Sequence, residues 1–167
     1  MSAITALFLA TPQISTAQTL ELVGPLRMAD SPLGLVVADY VGRQVVIVDP
    51  DTLEITDAVP IYTDETLLER GKPLSVGWLN GRLYVGEERT GLIQVFEKTG
   101  GKKSPKNKNP NKQAEWVQVS ASLTANPILQ PSAIASDETR GLLFIASKLD
   151  GAVYVLDTAG GLVRTIG

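Results

Sequence analysis

The side chains available for chemistry are limited, because the 167 residues include no cysteine and no histidine. This composition excludes disulfides, thiolate nucleophiles, Cys/His zinc sites and every catalytic triad that uses an imidazole base. Carboxylates, lysines, tyrosines and hydroxyls remain, and these groups can bind calcium or magnesium or act as carboxylate acids and bases. A formal charge of −3 provides no general attraction to nucleic acid or to an acidic membrane.

An internal repeat indicates the elements that position these polar residues. Each copy opens with a proline, continues with a tetrad of a large, a β-branched, a small and a polar residue, and then has a second apolar run that ends on an acid. Tight turns such as Asn80-Gly81 separate the runs, as in antiparallel hairpins. A period of about 40–50 residues with three or four strands per copy is typical of propeller blades. The copies are Pro25 with Val36–Asp39 and Val45–Asp49, Pro73 with Tyr84–Glu87 and Ile93–Glu97, and Pro131 with Phe144–Ser147 and Val153–Asp157.

A fourth apolar segment completes each copy. These segments are Thr52–Thr56, Trp116–Val119 and Leu162–Ile166. The sequence therefore predicts an all-β protein, a β-propeller of three four-stranded antiparallel blades. The predicted blades occupy about residues 19–60, 61–125 and 126–167.

The repeat units resemble those of known propeller families. Pro73–Glu97 and Pro131–Asp157 resemble NHL-type repeats, and Val45–Ile55 (VVIVDPDTLEI) looks like a YVTN-type repeat. The resemblance covers about residues 19–167 and implies a propeller, but the copy number departs from it, because closed propellers usually have at least four blades and NHL proteins typically have six.

Three blades leave two apolar sheet faces without a neighbour, which is more apolar surface than a soluble monomer exposes. We therefore expect half of a six-bladed ring, completed by self-association of two copies about a twofold axis or by the remaining blades of a longer chain. An open packing of the blades is the third interpretation. Thr19–Val23 precedes the first copy and is predicted to form the outermost strand of a preceding blade. The alternative is that it docks as an extra edge strand.

The resemblance implies that loops gather on one face, around the central channel. The mixed charge of this loop rim, with few aromatic residues, suits a protein, peptide or glycan partner better than nucleic acid. The alternative is that these are solvated turn residues, and no catalytic residue is assigned. The predicted ligand-binding residues are Asp39, Tyr40, Arg43, Glu87, Glu88, Arg89, Lys148 and Asp150.

The enzymatic alternative is a calcium-dependent propeller hydrolase of the lactonase-like kind, which would need the missing blades or a second subunit. Such enzymes hold calcium in the channel through Glu, Asp and Asn. Only Glu87 and Asp39 are candidate ligands here, without a matched asparagine. A binding or interaction scaffold that uses no cofactor is therefore the favoured prediction, with calcium as the one alternative cofactor.

Two segments differ in composition from the repeats. The apolar run Ala3–Ala10 and the small residues Ser15–Ala17 predict a signal peptide over residues 1–18, and hence a secreted or periplasmic protein. The alternative is a short buried strand or helix. No apolar run reaches the ~18 residues needed to span a bilayer.

The second segment, residues 100–113 (GGKKSPKNKNPNKQ), is a low-complexity insertion that lacks apolar side chains and is predicted to be flexible. Its lysines suggest a tether to an anionic partner on the face opposite the rim. The alternative is a solvated loop. The lysines are Lys102, Lys103, Lys106, Lys108 and Lys112.

Overall fold

A computed structural model describes residues 21–63, 69–99, 115–120, 123–124 and 126–167. Within these ranges all regular structure is β, in three antiparallel sheets whose strands follow sequence order. The predicted all-β architecture of three four-stranded antiparallel sheets, one for each predicted blade, is confirmed. Blade 1 contains β1 (Pro25–Ser31), β2 (Gly34–Asp39), β3 (Gln44–Val48) and β4 (Ile55–Pro60). Blade 2 contains β5 (Pro73–Leu79), β6 (Arg82–Glu87), β7 (Ile93–Thr99) and β8 (Glu115–Ser120). Blade 3 contains β9 (Pro131–Asp137), β10 (Leu142–Ser147), β11 (Ala152–Asp157) and β12 (Leu162–Ile166).

Blade 2 lies between the other two and contributes to two separate hydrophobic cores. Successive side chains of a strand point to opposite faces, so Leu83 and Val85 pack toward blade 1 while Tyr84 packs toward blade 3. The core between blades 1 and 2 includes Val36, Ala38, Val45, Ile47, Val76 and Trp78. The core between blades 2 and 3 includes Ile93, Val95, Ile134, Leu143, Ile145 and Leu156.

This packing explains the tetrad pattern in the sequence. The first and third tetrad residues face the next blade, and the second faces the preceding blade. The third residue is small because the next blade approaches closely: a Cβ on Gly86 would lie 2.8 Å from Cγ of Pro131 and closer still to Oγ of Ser75. Ser75 Oγ also donates a buried hydrogen bond to the Pro131 carbonyl, at 2.6 Å.

The fourth strand of blade 1 begins later than predicted. It starts at Ile55 rather than Thr52, because the preceding residues form a turn closed by hydrogen bonds from the Leu53 amide to the Asp49 carbonyl and from the Asp49 amide to the Glu54 carbonyl, both 2.9 Å. The Asp49 carboxylate also accepts from the Thr52 and Asp51 amides. Aspartate at the first position of such a turn is the signal that favours the turn over an early strand.

The predicted strand Thr19–Val23 stays a prediction, because it was assigned to a blade that precedes the three described ones and residues 19 and 20 lie outside the described residues. Residues 21–23 are not in a strand, and the Val23 amide donates instead to the Asp39 carboxylate at 3.2 Å. The predicted signal peptide (residues 1–18) and the basic insertion (100–113) lie outside the described residues. Among the residues with described structure, no helix has the length and apolar character needed to cross a bilayer.

Candidate functional site: the loop rim and its cleft

The same backbone contact recurs in each blade at the end of its second strand. The amide that follows the strand donates to the carbonyl of the residue that precedes the opening proline. The three contacts therefore fasten the rim loops to the segments that enter each blade. They are Tyr40 to Gly24 at 2.9 Å, Glu88 to Lys72 at 3.0 Å and Lys148 to Gln130 at 3.1 Å.

Asp39 anchors this loop in blade 1. Its side chain is fully buried, and its carboxylate accepts four hydrogen bonds. Burial raises the pKa of the Asp39 carboxyl, but the hydrogen bonds outweigh burial and hold the pKa below its ordinary value. The donors are the amides of Gly24 (2.7 Å), Gly42 (3.1 Å) and Val23 (3.2 Å) and the side-chain amide of Gln44 (3.2 Å).

Glu87 occupies the equivalent position in blade 2 and is also fully buried. Its Oε1 accepts from the Lys72 amide at 3.0 Å, and its Oε2 accepts from the amide and hydroxyl of Thr90 at 2.7 and 2.8 Å. Like Asp39, it holds the entering segment and the rim turn together.

Blade 3 divides this role between two residues. Ser147 replaces the acid, and its Oγ lies 2.7 Å from the Leu129 carbonyl and 2.6 Å from Oδ2 of Asp150. Tyr154 Oη donates to the same Oδ2 at 3.0 Å, and this hydrogen bond raises the pKa of the Tyr154 phenol. Asp150 therefore supplies the carboxylate that the third copy lacks at its tetrad.

Asp39 and Glu87 are the two candidate ligands of the predicted calcium site, and their hydrogen bonds show whether their oxygens are available to a metal ion. A calcium ion requires several oxygen ligands, whereas the oxygens of these two carboxylates are engaged with N–H and O–H donors. The described ranges also bring no three Asp, Glu, His or Cys residues together in a group that could hold a metal ion. The calcium site stays a prediction, and this geometry does not favour it.

The more exposed rim residues join blade 1 to blade 2. Tyr40 Oη donates to Oε2 of Glu88 at 2.6 Å and accepts from Nζ of Lys72 at 3.2 Å. The Lys72 ammonium also lies 4.8 Å from the centre of the Tyr40 ring, which favours a cation–π interaction. These three side chains form a charged bridge on the surface between two blades.

A cleft of about 490 Å³ opens beside this bridge. Of the predicted site residues, Arg43, Glu87, Glu88 and Arg89 line it. Asp39 and Tyr40 do not line it, and Lys148 and Asp150 flank the lining residue Leu149 without lining it themselves. The structure thus brings half of the predicted residues to one cavity. The cleft also contains residues that the sequence did not predict: Thr63, Glu69, Arg70, Lys72, Thr90, Gly91, Leu129, Gln130 and Leu149.

Arg70 shows why the cleft favours an anion. Its Nη2 donates to the Arg43 carbonyl at 2.8 Å, and its guanidinium lies 5.3 Å from the Tyr62 ring centre. Its Nε is buried and has no hydrogen-bond partner in the described structure. Because Nε is buried and closed to an entering ligand, Arg70 contributes to the cleft through the positive charge of its guanidinium.

Positive charges outnumber negative charges among the residues that line the cleft. Its four cations are Arg43, Arg70, Lys72 and Arg89, and its three acids are Glu69, Glu88 and the buried Glu87. Arg89 pairs with Glu69, but both side chains are more than half exposed, so that pair contributes little to stability and exchanges readily. The cleft therefore has an excess of positive charge in a chain whose net charge is negative.

Comparisons with known proteins address the fold. No protein-family model matches the sequence, and comparison with curated proteins gives no match. Among solved structures, hydrazine synthase of Kuenenia stuttgartiensis aligns with 91% of this chain at 20% identity with a TM-score of 0.55, and the alignment covers 38% of that chain. The dihydro-heme d1 dehydrogenase NirN in complex with DHE aligns with 84% at 13% identity with a TM-score of 0.50, covering 27% of that chain. Both neighbours contain propellers, and this chain spans well under half the length of either. Three consecutive four-stranded blades and this likeness show that the chain has a β-propeller fold.

Proposed function

We propose that this chain is a propeller-type binding scaffold whose rim cleft holds a protein or peptide segment that carries an acidic side chain beside an apolar one. The observation that carries this proposal is the composition of the cleft: four cations, three acids of which one is buried, and two exposed leucines around one cavity of about 490 Å³. We also propose that the repeats are of the NHL or YVTN type. We further propose that the protein is exported to the periplasm or outside the cell. Their support is the repeat pattern and the apolar run Ala3–Ala10.

The charges of the cleft support an acidic partner. Arg43 and Arg89 line the cleft and are exposed, and Arg70 adds a third guanidinium to its wall. An arginine donates through a planar set of N–H groups that matches the two oxygens of a carboxylate. A glutamate or aspartate side chain entering the cleft would therefore meet several oriented donors.

The leucines support a peptide or protein rather than a small anion alone. Leu129 and Leu149 line the blade 3 side of the cleft and are 49% and 63% exposed. Covering such side chains contributes about 25 cal/mol per Å² of apolar surface removed from water. A partner with an apolar residue next to its acid gains this contribution, whereas an inorganic anion or a simple glycan does not.

The experiment measures binding of the fluorescein-labelled peptide acetyl-Glu-Leu-Glu-Leu-amide by fluorescence anisotropy. We expect Arg43→Ser/Arg89→Ser to weaken binding at least tenfold. Arg140→Ser is the matched control, because Arg140 is also an exposed arginine but lies in the β9–β10 turn and does not line the cleft. The peptide acetyl-Gln-Leu-Gln-Leu-amide tests whether the acids are needed.

Two results would refute the proposal. One is binding too weak to detect at about 1 mM peptide, which corresponds to a binding free energy of about −4 kcal/mol. The other is equal weakening by the cleft variant and by Arg140→Ser, since a general charge effect would then explain the binding.

A further inference from the structure

The face of blade 3 that has no described neighbour repeats, in strand register, the faces by which blades 1 and 2 receive the next blade. Strand pairing aligns three residues across the first three strands of each blade to form a rung of side chains on one face. In each blade two neighbouring rungs face the next blade. They are Ala29–Val36–Ile47 with Arg27–Ala38–Val45, Gly77–Tyr84–Val95 with Ser75–Gly86–Ile93, and Ala135–Phe144–Val155 with Ala133–Ala146–Val153.

Small residues in these rungs admit the inner strand of the next blade. A Cβ on Gly77 would collide with Cγ2 of Ile134, and a Cβ on Gly86 would lie 2.8 Å from Cγ of Pro131. The blade 3 equivalents of these glycines are Ala135 and Ala146. Ala135 is exposed and Ala146 is only partly buried, so this receiving face has the composition of an interface while its small residues remain accessible.

The complementary positions are exposed at the other end of the chain. Pro131 and Ile134 of β9, like Pro73 and Val76 of β5, are buried against the preceding blade. The equivalents in β1 are Pro25 and Met28; Pro25 is exposed and Met28 is 65% exposed. Val37 and Val46, deeper in the same face of blade 1, are buried, so the accessible part of that face runs along β1.

We propose that the occupant of the blade 3 face is a second copy of this chain, whose β1 docks on the rungs of β9 and β10. Each copy has one receiving face and one exposed inner strand, so a twofold axis satisfies both sites of both copies and closes a ring of six blades. In this assembly Met28 of the second copy lies against Ala135, as Ile134 lies against Gly77. The contact goes beyond the cleft and does not depend on its ligand.

Sedimentation velocity of the full chain over a concentration series tests the contact. We expect a dimer of twice the 17.8 kDa chain mass. Ala135→Lys and Met28→Glu each place an unpaired charge in the interface, and each is expected to shift the protein to monomer. Both positions are exposed within one copy, so both variants are expected to fold. Leu53→Glu is the control, because Leu53 is an apolar residue, 77% exposed, in the β3–β4 turn.

The double variant Ala135→Lys/Met28→Glu identifies the pairing, because it places opposite charges across the proposed contact. Recovery of dimer in the double variant supports the contact between β9 of one copy and β1 of the other. A monomeric unmutated protein at every concentration would overturn the proposal. So would a dimer that Ala135→Lys disrupts and Met28→Glu leaves intact, because two blade 3 faces would then pair with each other.

Discussion

Backbone amides hold the buried carboxylate of Asp39 at the rim, and these hydrogen bonds keep its pKa below the ordinary value. Its carboxylate accepts three backbone amides and one side-chain amide while fully buried. In the equivalent place Glu87 accepts from Lys72 and Thr90. The two acids therefore stabilise the shape of the rim, and the neighbouring exposed residues are the ones that can contact a partner.

Asp39→Asn is expected to lower the free energy of unfolding at pH 7 by about 1–3 kcal/mol, because an amide nitrogen replaces one acceptor oxygen and faces buried donors. The pKa of Asp39 in the folded protein lies below its ordinary value of about 3.9. Above that value, the carboxylate therefore makes its full contribution to the free energy of unfolding. Its contribution is lost as the pH falls below about 4 and through the folded pKa. Urea denaturation between pH 2 and about 7 should show that the free energy of unfolding falls less at low pH in the variant than in the unmutated protein.

Asp51→Asn provides the comparison for this measurement. Asp51 is exposed in the β3–β4 turn. Its replacement should therefore change neither the free energy of unfolding at neutral pH nor its decrease at low pH. An unchanged acid profile in Asp39→Asn would show that another group causes the acid sensitivity.

The sequence predicted the position of these acids but not the direction in which they point. A polar residue at the end of each tetrad was evident from the repeat, whereas burial of Asp39 and Glu87 depends on amides supplied by segments that carry no periodic pattern. The same reason explains why Arg70 and Lys72 were missed as cleft residues. One signal was present: Gly24, Lys72 and Gln130 each precede an opening proline, and their carbonyls make the repeated rim contact.

Among the elements, the inner strands determine how closely the blades approach. β5 and β6 carry Gly77 and Gly86 on the face toward blade 3, where Ile134 and Pro131 occupy the space that side chains would need. The sequence predicted the strands and the small third residue of each tetrad from their repetition. The prediction that the fourth strand of blade 1 begins at Thr52 was wrong, because residues 49–54 form a turn around Asp49 and the strand begins at Ile55.

Gly86→Ala tests the approach between blades 2 and 3. The added methyl would lie 2.8–2.9 Å from the Pro131 ring and closer still to Oγ of Ser75. Overpacking of this kind typically costs about 1–3 kcal/mol, so we expect the midpoint of urea denaturation to fall without a change in slope. Gly81→Asn is the control in the same blade, because a Cβ there meets no atom within 4 Å and asparagine tolerates the positive φ of 79°. Equal loss of stability in both variants would mean that the replacement of a glycine as such, and not the contact with blade 3, lowers the stability.

At the scale of the whole molecule, the rim cleft and the two strand ends that flank the basic insertion lie at opposite ends of blade 2. The cleft lies at the end where β6 finishes and β7 begins. The insertion of residues 100–113 joins β7 to β8, which pair at Thr99 and Glu115 at the far end of the same sheet. The described residues that flank the insertion, Thr99 and Glu115, therefore lie at the end of blade 2 away from the cleft, and the position of the insertion itself stays a prediction. Five of the fifteen basic residues of an acidic chain lie in this segment.

Replacing Lys102, Lys103, Lys106, Lys108 and Lys112 with serine tests whether the insertion binds an anionic surface. Near an anionic membrane each lysine contributes about 1 kcal/mol, so the quintuple variant should bind phosphatidylserine vesicles at least tenfold more weakly in a sedimentation assay. Its binding should also depend less steeply on salt, because fewer ionic contacts remain to be screened. Arg43→Ser/Arg89→Ser removes two cations at the opposite end and should leave vesicle binding within about twofold of the unmutated chain. If the cleft variant weakens binding and the lysine variant does not, the anionic surface contacts the rim and the tether is wrong.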